Sequence, residues 1–264
     1  MANHALAALE AALRTRKLDR TLTSSLPEPA LEAADATLAT GLTAVDARLG
    51  GGLPRGHLSD IVGPASSGRT TVLLQLLAAT TTRGELAALI DPFDRLDVPS
   101  AVEAGVDLSR LLWVRGDAPS RLDDERTIGR ALKAINLVLQ ARGFACVVID
   151  LADVPAAAFQ RLPFTTWLRL QRIVEGSDTA CVVLAPRPVA RSAGGVTVSL
   201  AATMRWDGVE ARHHQLTGAA VSVRVVSPRR RMQGELTVQA FAPGCAPAVD
   251  GAFITGETRL AVGE

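Results

Sequence analysis

Apolar residues along this chain fall into two textures. From residue 3 to 16, "NHALAALEAALRTR" repeats Leu6, Leu9 and Leu13 at helical spacing, which predicts an amphipathic N-terminal helix within residues 1–20. A polar, Pro-containing stretch follows and reads as a linker over 21–40. From Gly41 the texture changes to short, continuous apolar runs separated by helical patterns: "LSDIVG", "LAALID", "LLWVRG", "ACVVID" and "ACVVLA". Strands that are apolar on both faces, alternating with helices, predict an α/β fold with a mostly parallel sheet covered on both sides. The core is placed at 41–242.

The clearest helix lies between the third and fourth runs. Ser120 is its expected N-cap, Asp123 and Asp124 fall in its first turn, and Ile128, Leu132, Ile135 and Leu139 form its stripe, with Gly143 beyond the end. A second helical pattern runs from Ala156 to about Val174, with Pro163 bending or splitting it. After Pro186 the helices stop. "LAATMRWD", "AVSVRVVS" and "GELTVQAF" read as strands, the last two as an antiparallel hairpin around "PRRRMQ". Residues 243–264 read as a loosely ordered tail.

Composition changes this picture little. Hydrophobic residues make up 48%, but no apolar run approaches the ~20 residues that a bilayer span needs. The first twenty residues mix acid and base among alanines, unlike a signal peptide, so the expected setting is the cytoplasm, with no membrane partner. Cys146 and Cys181 lie in strand-like runs and Cys245 in a Pro/Gly-rich turn, without zinc spacing. They read as small hydrophobes.

Net charge is only +1, yet the placement of charge is uneven. From Ala185 to Arg231 eight arginines face Asp207 and Glu210, a local excess of six positive charges. Arg187 and Arg191, with Arg229, Arg230 and Arg231, are candidate contacts for DNA phosphates or an acidic partner; for the last three a solvated hairpin tip is the equal alternative. His213 and His214 read as turn residues, since nothing pairs with them at metal spacing. Aromatic residues are 3%, with no tyrosine, so platforms for stacking bases are scarce.

The candidate chemistry sits in "DIVGPASSGRTTVLLQLLAA", a strand, a Gly-rich turn and a helix. Gly63 and Gly68 let the backbone curl so that N–H groups converge on a phosphate, and the helix starting near Arg69 adds its positive end. Gly63, Ser66, Ser67, Gly68, Arg69, Thr70 and Thr71 are the candidate phosphate-binding residues, with the Thr70 hydroxyl available to Mg²⁺. Arg69 stands where such loops carry lysine. A guanidinium is wider and planar and forks onto two oxygens, so it can hold an anion yet misplaces charge in phosphoryl transfer.

With "GLTAVDARLGGGLPRGHLSDIVGPASSGRTT", "LAALIDPFDRLDVPSAVEAGVDLSRLLWV" and "ACVVID" in place, the chain resembles the RecA recombinase core over roughly residues 3–242. The resemblance implies a RecA-like P-loop core, an N-terminal helix that docks on RecA or on a second copy through Leu6, Leu9 and Leu13, and ATP with Mg²⁺ held by Thr70 and Asp150. Asp150 also reads as a structural residue closing a buried strand. Four departures bear on activity. Phe93 takes the place of the family's water-activating glutamate, with Asp94 beside it. Ser100 replaces the aromatic residue that stacks on adenine, leaving Asp97 at the adenine edge. Ala185, Pro186 and Arg187 stand where a glutamine senses the γ-phosphate. Ser227 and Arg229 occupy the places of two lysines that reach a neighbour's ATP.

The resemblance therefore implies a degenerate ATPase with no required cofactor, in which ATP and Mg²⁺ binding is optional. "RPVARSAGGVTVSL" occupies the place of the family's second DNA-binding loop, in a much shorter form. A short RecA-like chain with these losses resembles the ImuA-type accessory proteins of translesion mutagenesis, which implies RecA, ImuB-like and error-prone polymerase subunits as partners, and non-specific DNA. A working DNA-dependent ATPase, with Asp94 as base and Arg69 in lysine's role, is the rival reading. A cell-division regulator of RecA-like shape is a third.

Overall fold

The computed structural model describes residues 36–116, 124–190, 194–207, 215–226, 235–241 and 259–261. A small antiparallel pair opens the described part: β1 (Thr37–Leu38) and β2 (Leu53–Pro54), with α1 (Thr43–Leu49) between them. The main sheet is built from β3 (Leu58–Val62), β4 (Ala87–Asp91), β5 (Leu111–Arg115), β6 (Cys146–Asp150), β7 (Ala180–Ala185), β8 (Thr197–Asp207), β9 (Gln215–Val226), β10 (Glu235–Phe241) and β11 (Arg259–Ala261). Its spatial order is β11-β10-β9-β8-β3-β7-β6-β4-β5. From β8 to β5 all pairs are parallel, and from β8 to β11 all are antiparallel. The α/β reading, with a mostly parallel sheet and an antiparallel hairpin, is therefore right.

Continuous apolar runs form the parallel strands because helices cover both faces. On one face α2 (Arg69–Thr82) lays Leu73, Leu76 and Leu77 over Ile61, Leu89, Val148 and Val182, beside Leu38 and Val45. On the other, α4 (Asp124–Ala141) and α6 (Phe164–Val174) pack Ile128, Ile135, Trp167 and Leu170 over Val62, Ile90, Ile149 and Val183. Successive residues of β6 alternate between the two cores, Val148 in one and Ile149 in the other, as the pleat requires. Cys146 and Cys181 are buried thiols in these strands, and burial pushes the Cys146 thiol up to about 12. Among the described residues no helix is long and apolar enough to cross a membrane.

The stripe of α4 is as expected, with Ile128, Ile135 and Leu139 buried and Leu132 packed against them, while Ser120 and Asp123 lie outside the described residues. Pro163 does split the second pattern: α5 (Ala156–Arg161) ends before it, and Pro163 becomes the N-cap of α6 in an extended conformation. Gly129, on α4, has open space where a Cβ would be built. Gly129→Ala should therefore stabilise the protein by up to about 1 kcal/mol, read as a higher denaturant midpoint with an unchanged slope.

Two expectations need correction. The described end of the supposed linker, residues 36–40, belongs to the core: Leu38 is fully buried, and the Thr40 amide and hydroxyl donate to Asp46 at 2.7 and 2.8 Å. The supposed tail contributes β11, which pairs with β10 through Thr237↔Ala261 and Gln239↔Arg259. The expected hairpin of β9 and β10 is present, and β8 pairs with β9 along its length, which extends it into an antiparallel ribbon. The segment carrying Leu6, Leu9 and Leu13 lies outside the described residues.

Candidate phosphate site

The loop after β3 is shaped by close contacts. A Cβ on Gly63 would lie 2.5 Å from the Leu200 carbonyl oxygen of β8 and against the Ser67 hydroxyl, so only glycine allows the strand to end here. The Ser67 amide donates to Pro64 O at 3.3 Å, and Ser66 and Gly68 turn left-handed with φ of 60° and 89°. Gly68 is the N-cap of α2, and no side chain caps that helix. Its first-turn amides are thus left for an anion. Ser67 is 1% exposed, and its Oγ is, among the described residues, a buried side-chain oxygen without a hydrogen-bond partner. Thr70 and Thr71 are exposed at the mouth.

Arg69 turns inward. It is 9% exposed, and its Nη1 donates to the Ala152 carbonyl at 3.2 Å, just past the end of β6. Asp150 closes β6 and accepts the Ala152 amide at 2.9 Å. Burial pushes its carboxyl up to about 6; Asp91 and Asp153 push the same way, while the Ala152 amide and Arg69 pull it back. The structure thus gathers Gly63, Ser66, Ser67, Gly68, Arg69, Thr70 and Thr71 with Asp150 at the carboxyl edge of the sheet. β7 runs between β6 and the phosphate-loop strand β3.

The loop after β4 is organised by Asp91, which is 1% exposed. Its carboxylate accepts the Arg95 amide at 2.9 and 2.8 Å, the Leu96 amide at 2.9 Å and the Trp113 indole N–H at 3.1 Å. Phe93 packs on the core layer beneath α4. Asp94 adopts φ 55° and takes both Arg115 Nε and Nη2 at 2.8 Å, which holds its carboxyl below the usual range. Arg115 lies over the Trp113 ring, 4.4 Å from its centroid. Arg95 pairs with Asp153 at 2.9 Å, tying this loop to the one after β6.

Asp97 caps α3 (Val98–Glu103), accepting the Ser100 amide at 2.9 Å and its hydroxyl at 2.6 Å. Those bonds hold its carboxyl below the usual range and commit it, with Ser100, to the helix end. Ala185 is buried at the end of β7, followed by Pro186 and Arg187. Arg191, Ser227, Arg229, Arg230 and Arg231 lie outside the described residues.

A buried carboxylate absent from the sequence reading holds the root of the basic loop. Asp60, inside β3, accepts the Ala190 amide at 3.2 and 3.3 Å and the Thr197 hydroxyl at 3.4 Å, and Ser59 Oγ accepts the Val196 amide at 3.2 Å. Burial pushes the Asp60 carboxyl up to about 6 against the pull of Ala190, Val189 and Thr197. The native state therefore takes up this proton before the unfolded chain does, and its contribution is largest in acid and lost as pH rises through about 6. Relative to Asp60→Asn, the wild type should gain on the order of 2 kcal/mol between about pH 7 and about pH 4.5, read from denaturant midpoints. A gain in the opposite direction would refute this assignment.

A phosphate loop between a parallel strand and a helix N-terminus, with an aspartate closing a strand at the same edge, defines a P-loop α/β protein. Residues 16–159 match the family model described as the RecA N-terminal domain, and the chain belongs to that family. It is 35% identical over 114 residues to Protein RecA of Synechococcus elongatus, covering 43% of this chain and 30% of that one. To Protein RecA of a Nostoc species it is 37% identical over 114 residues, covering 43% and 29%. The chain thus spans less than a third of the length of the curated relatives it matches.

Proposed function

We propose that this protein is a non-catalytic RecA-like accessory protein of the ImuA type, acting in damage-induced translesion synthesis by binding RecA, ImuB-like or error-prone polymerase subunits, or several of them, and modulating RecA filaments. One observation carries the proposal. Beside the phosphate loop, Phe93, which the resemblance to RecA puts in the place of the water-activating carboxylate, packs partly buried against the core, and neighbouring Asp94 has both oxygens on Arg115. A base must reach the proton that it abstracts and hold a pKa suited to the task. A half-buried carboxylate forked on a guanidinium, with its pKa held down, meets neither condition. The basic segment from Arg187, rooted on β3 by Asp60 and Ser59, supplies the surface for DNA or an acidic partner.

The rival reading, a DNA-dependent ATPase, draws on the intact loop and on Asp150. Steady-state phosphate release, with and without single-stranded DNA, separates the two. Wild type and Arg69→Lys should both stay at background, because restoring lysine leaves Phe93 in place. Stimulated turnover of about tenfold or more, abolished by Asp150→Ala, would establish the enzyme instead.

A further inference from the structure

The outer side of the layer made by α4 and α6 carries a charge pattern that the core does not need. Along α4, Arg126, Arg130, Lys133 and Leu137 follow one another at intervals of four, three and four residues. They form one line on the helix, opposite the buried Ile128, Ile135 and Leu139, and all four are exposed. α6 lies alongside, with Trp167 and Leu170 turned into the core and Arg169 and Arg172 exposed. The carboxylates stand at the helix ends: Asp124 and Glu125 open α4, Glu125 takes Arg161 Nη1 at 2.8 Å, and Glu175 follows α6. Five cations thus share a surface whose middle holds no acid from either helix.

Leu137 sets this surface apart from an ordinary solvated face. It is 65% exposed, the highest value for a large apolar side chain among the described residues, and it stands one turn beyond Lys133 in the line of cations. On the other face of the sheet α2 shares its core with Leu38, Leu42 and Val45, whereas α4 and α6 have no such cover among the described residues. A nucleic-acid backbone would engage the cations and leave Leu137 in water. A helix with carboxylates along its flanks and leucines between them would meet the cations and cover Leu137 as well, the arrangement in which an amphipathic helix lays its apolar side on a receiving surface.

We propose that the outer face of α4 and α6 is the docking site for an acidic amphipathic helix of a partner protein, with Arg126, Arg130, Lys133, Arg169 and Arg172 meeting its carboxylates and Leu137 its leucines. The proposal goes beyond the accessory reading, since this surface uses no residue of the phosphate loop or of the segment that starts at Arg187.

The test is fluorescence anisotropy of a fluorescein-labelled peptide of about four helical turns, glutamates flanking a line of leucines, titrated with the full chain at low salt. A second peptide of equal charge has serine in place of each leucine, and a labelled oligothymidylate is the third probe. The leucine peptide should bind with a dissociation constant on the order of 10 μM, weaken as salt is raised, and bind about tenfold more tightly than the serine peptide. Arg126→Glu, Arg130→Glu and Lys133→Glu together should weaken it about tenfold or more, and Leu137→Ser about threefold. The comparison of the two peptides needs only the wild type, so it does not depend on a variant that folds. Equal binding of the two peptides, binding of neither, or a triple reversal that leaves the leucine peptide bound overturns the proposal. A reversal that releases the oligothymidylate and spares the peptide overturns it too, and makes the face a nucleic-acid surface. No nucleotide takes part in these titrations, so a failure here leaves the non-catalytic reading standing, and turnover of ATP would leave this proposal standing.

Discussion

Asp91→Ala should lower the unfolding free energy by about 3 kcal/mol or more, among the largest losses expected of a single side chain here. The carboxylate is buried and receives two backbone amides, from Arg95 and Leu96, and the Trp113 indole. Alanine leaves three part-buried donors without their acceptor, at about 1–3 kcal/mol each before relaxation. The loop should then lose its fixed turn, and with it the positions of Phe93 and of the Asp94–Arg115 pair. A lower denaturant midpoint at constant slope, with a changed near-ultraviolet signal from Trp113, is the expected readout. Asp91→Asn keeps one acceptor oxygen and should cost less. A midpoint unmoved by alanine would mean that the loop is held by something else.

Gly63→Ala should destabilise the fold by about 1–3 kcal/mol and abolish any nucleotide binding that the wild type shows at the phosphate loop. The new methyl would meet the Leu200 carbonyl at 2.5 Å, and that contact is backbone, which cannot swing aside. Either the phosphate loop opens or β8 shifts from β3. The second is open to the chain because β3 and β8 share only three register pairs, Asp60↔Thr197, Ile61↔Val198 and Val62↔Ser199. Titration of labelled ADP and a denaturation curve measure the two effects together. Retained binding would show that the loop tolerates the extra atom.

Much of this architecture can be read from the chain because its signals are local. "ACVVID" and "ACVVLA" are unbroken apolar runs, and burial on both faces is what makes them strands. The stripe of Ile128, Ile135 and Leu139 and the break at Pro163 are local in the same sense. The glycine loop is likewise visible as a string, because its chemistry needs residues at fixed spacing.

The rest depends on partners far apart in sequence. That β8 pairs with β9 as well as with β3, or that Arg259–Ala261 adds a strand, follows from no short pattern. Asp94 is a plausible base until Arg115, twenty-one residues later, is seen to hold it. Asp97 looks like a ligand for a base until Ser100 makes it a helix cap. Asp60 is one acid in a strand, and its grip on Ala190 spans 130 residues. Thr37 to Thr40 look like linker because a two-stranded pair gives too short a signal to notice.

β8 is the single strand through which the parallel and antiparallel halves of the sheet are joined, and at Leu200 its backbone rests on the first glycine of the phosphate loop. The ribbon of β9 and β10 hangs on this strand, so the fit of Gly63 against Leu200 ties the geometry of the phosphate loop to the seating of the antiparallel half of the sheet.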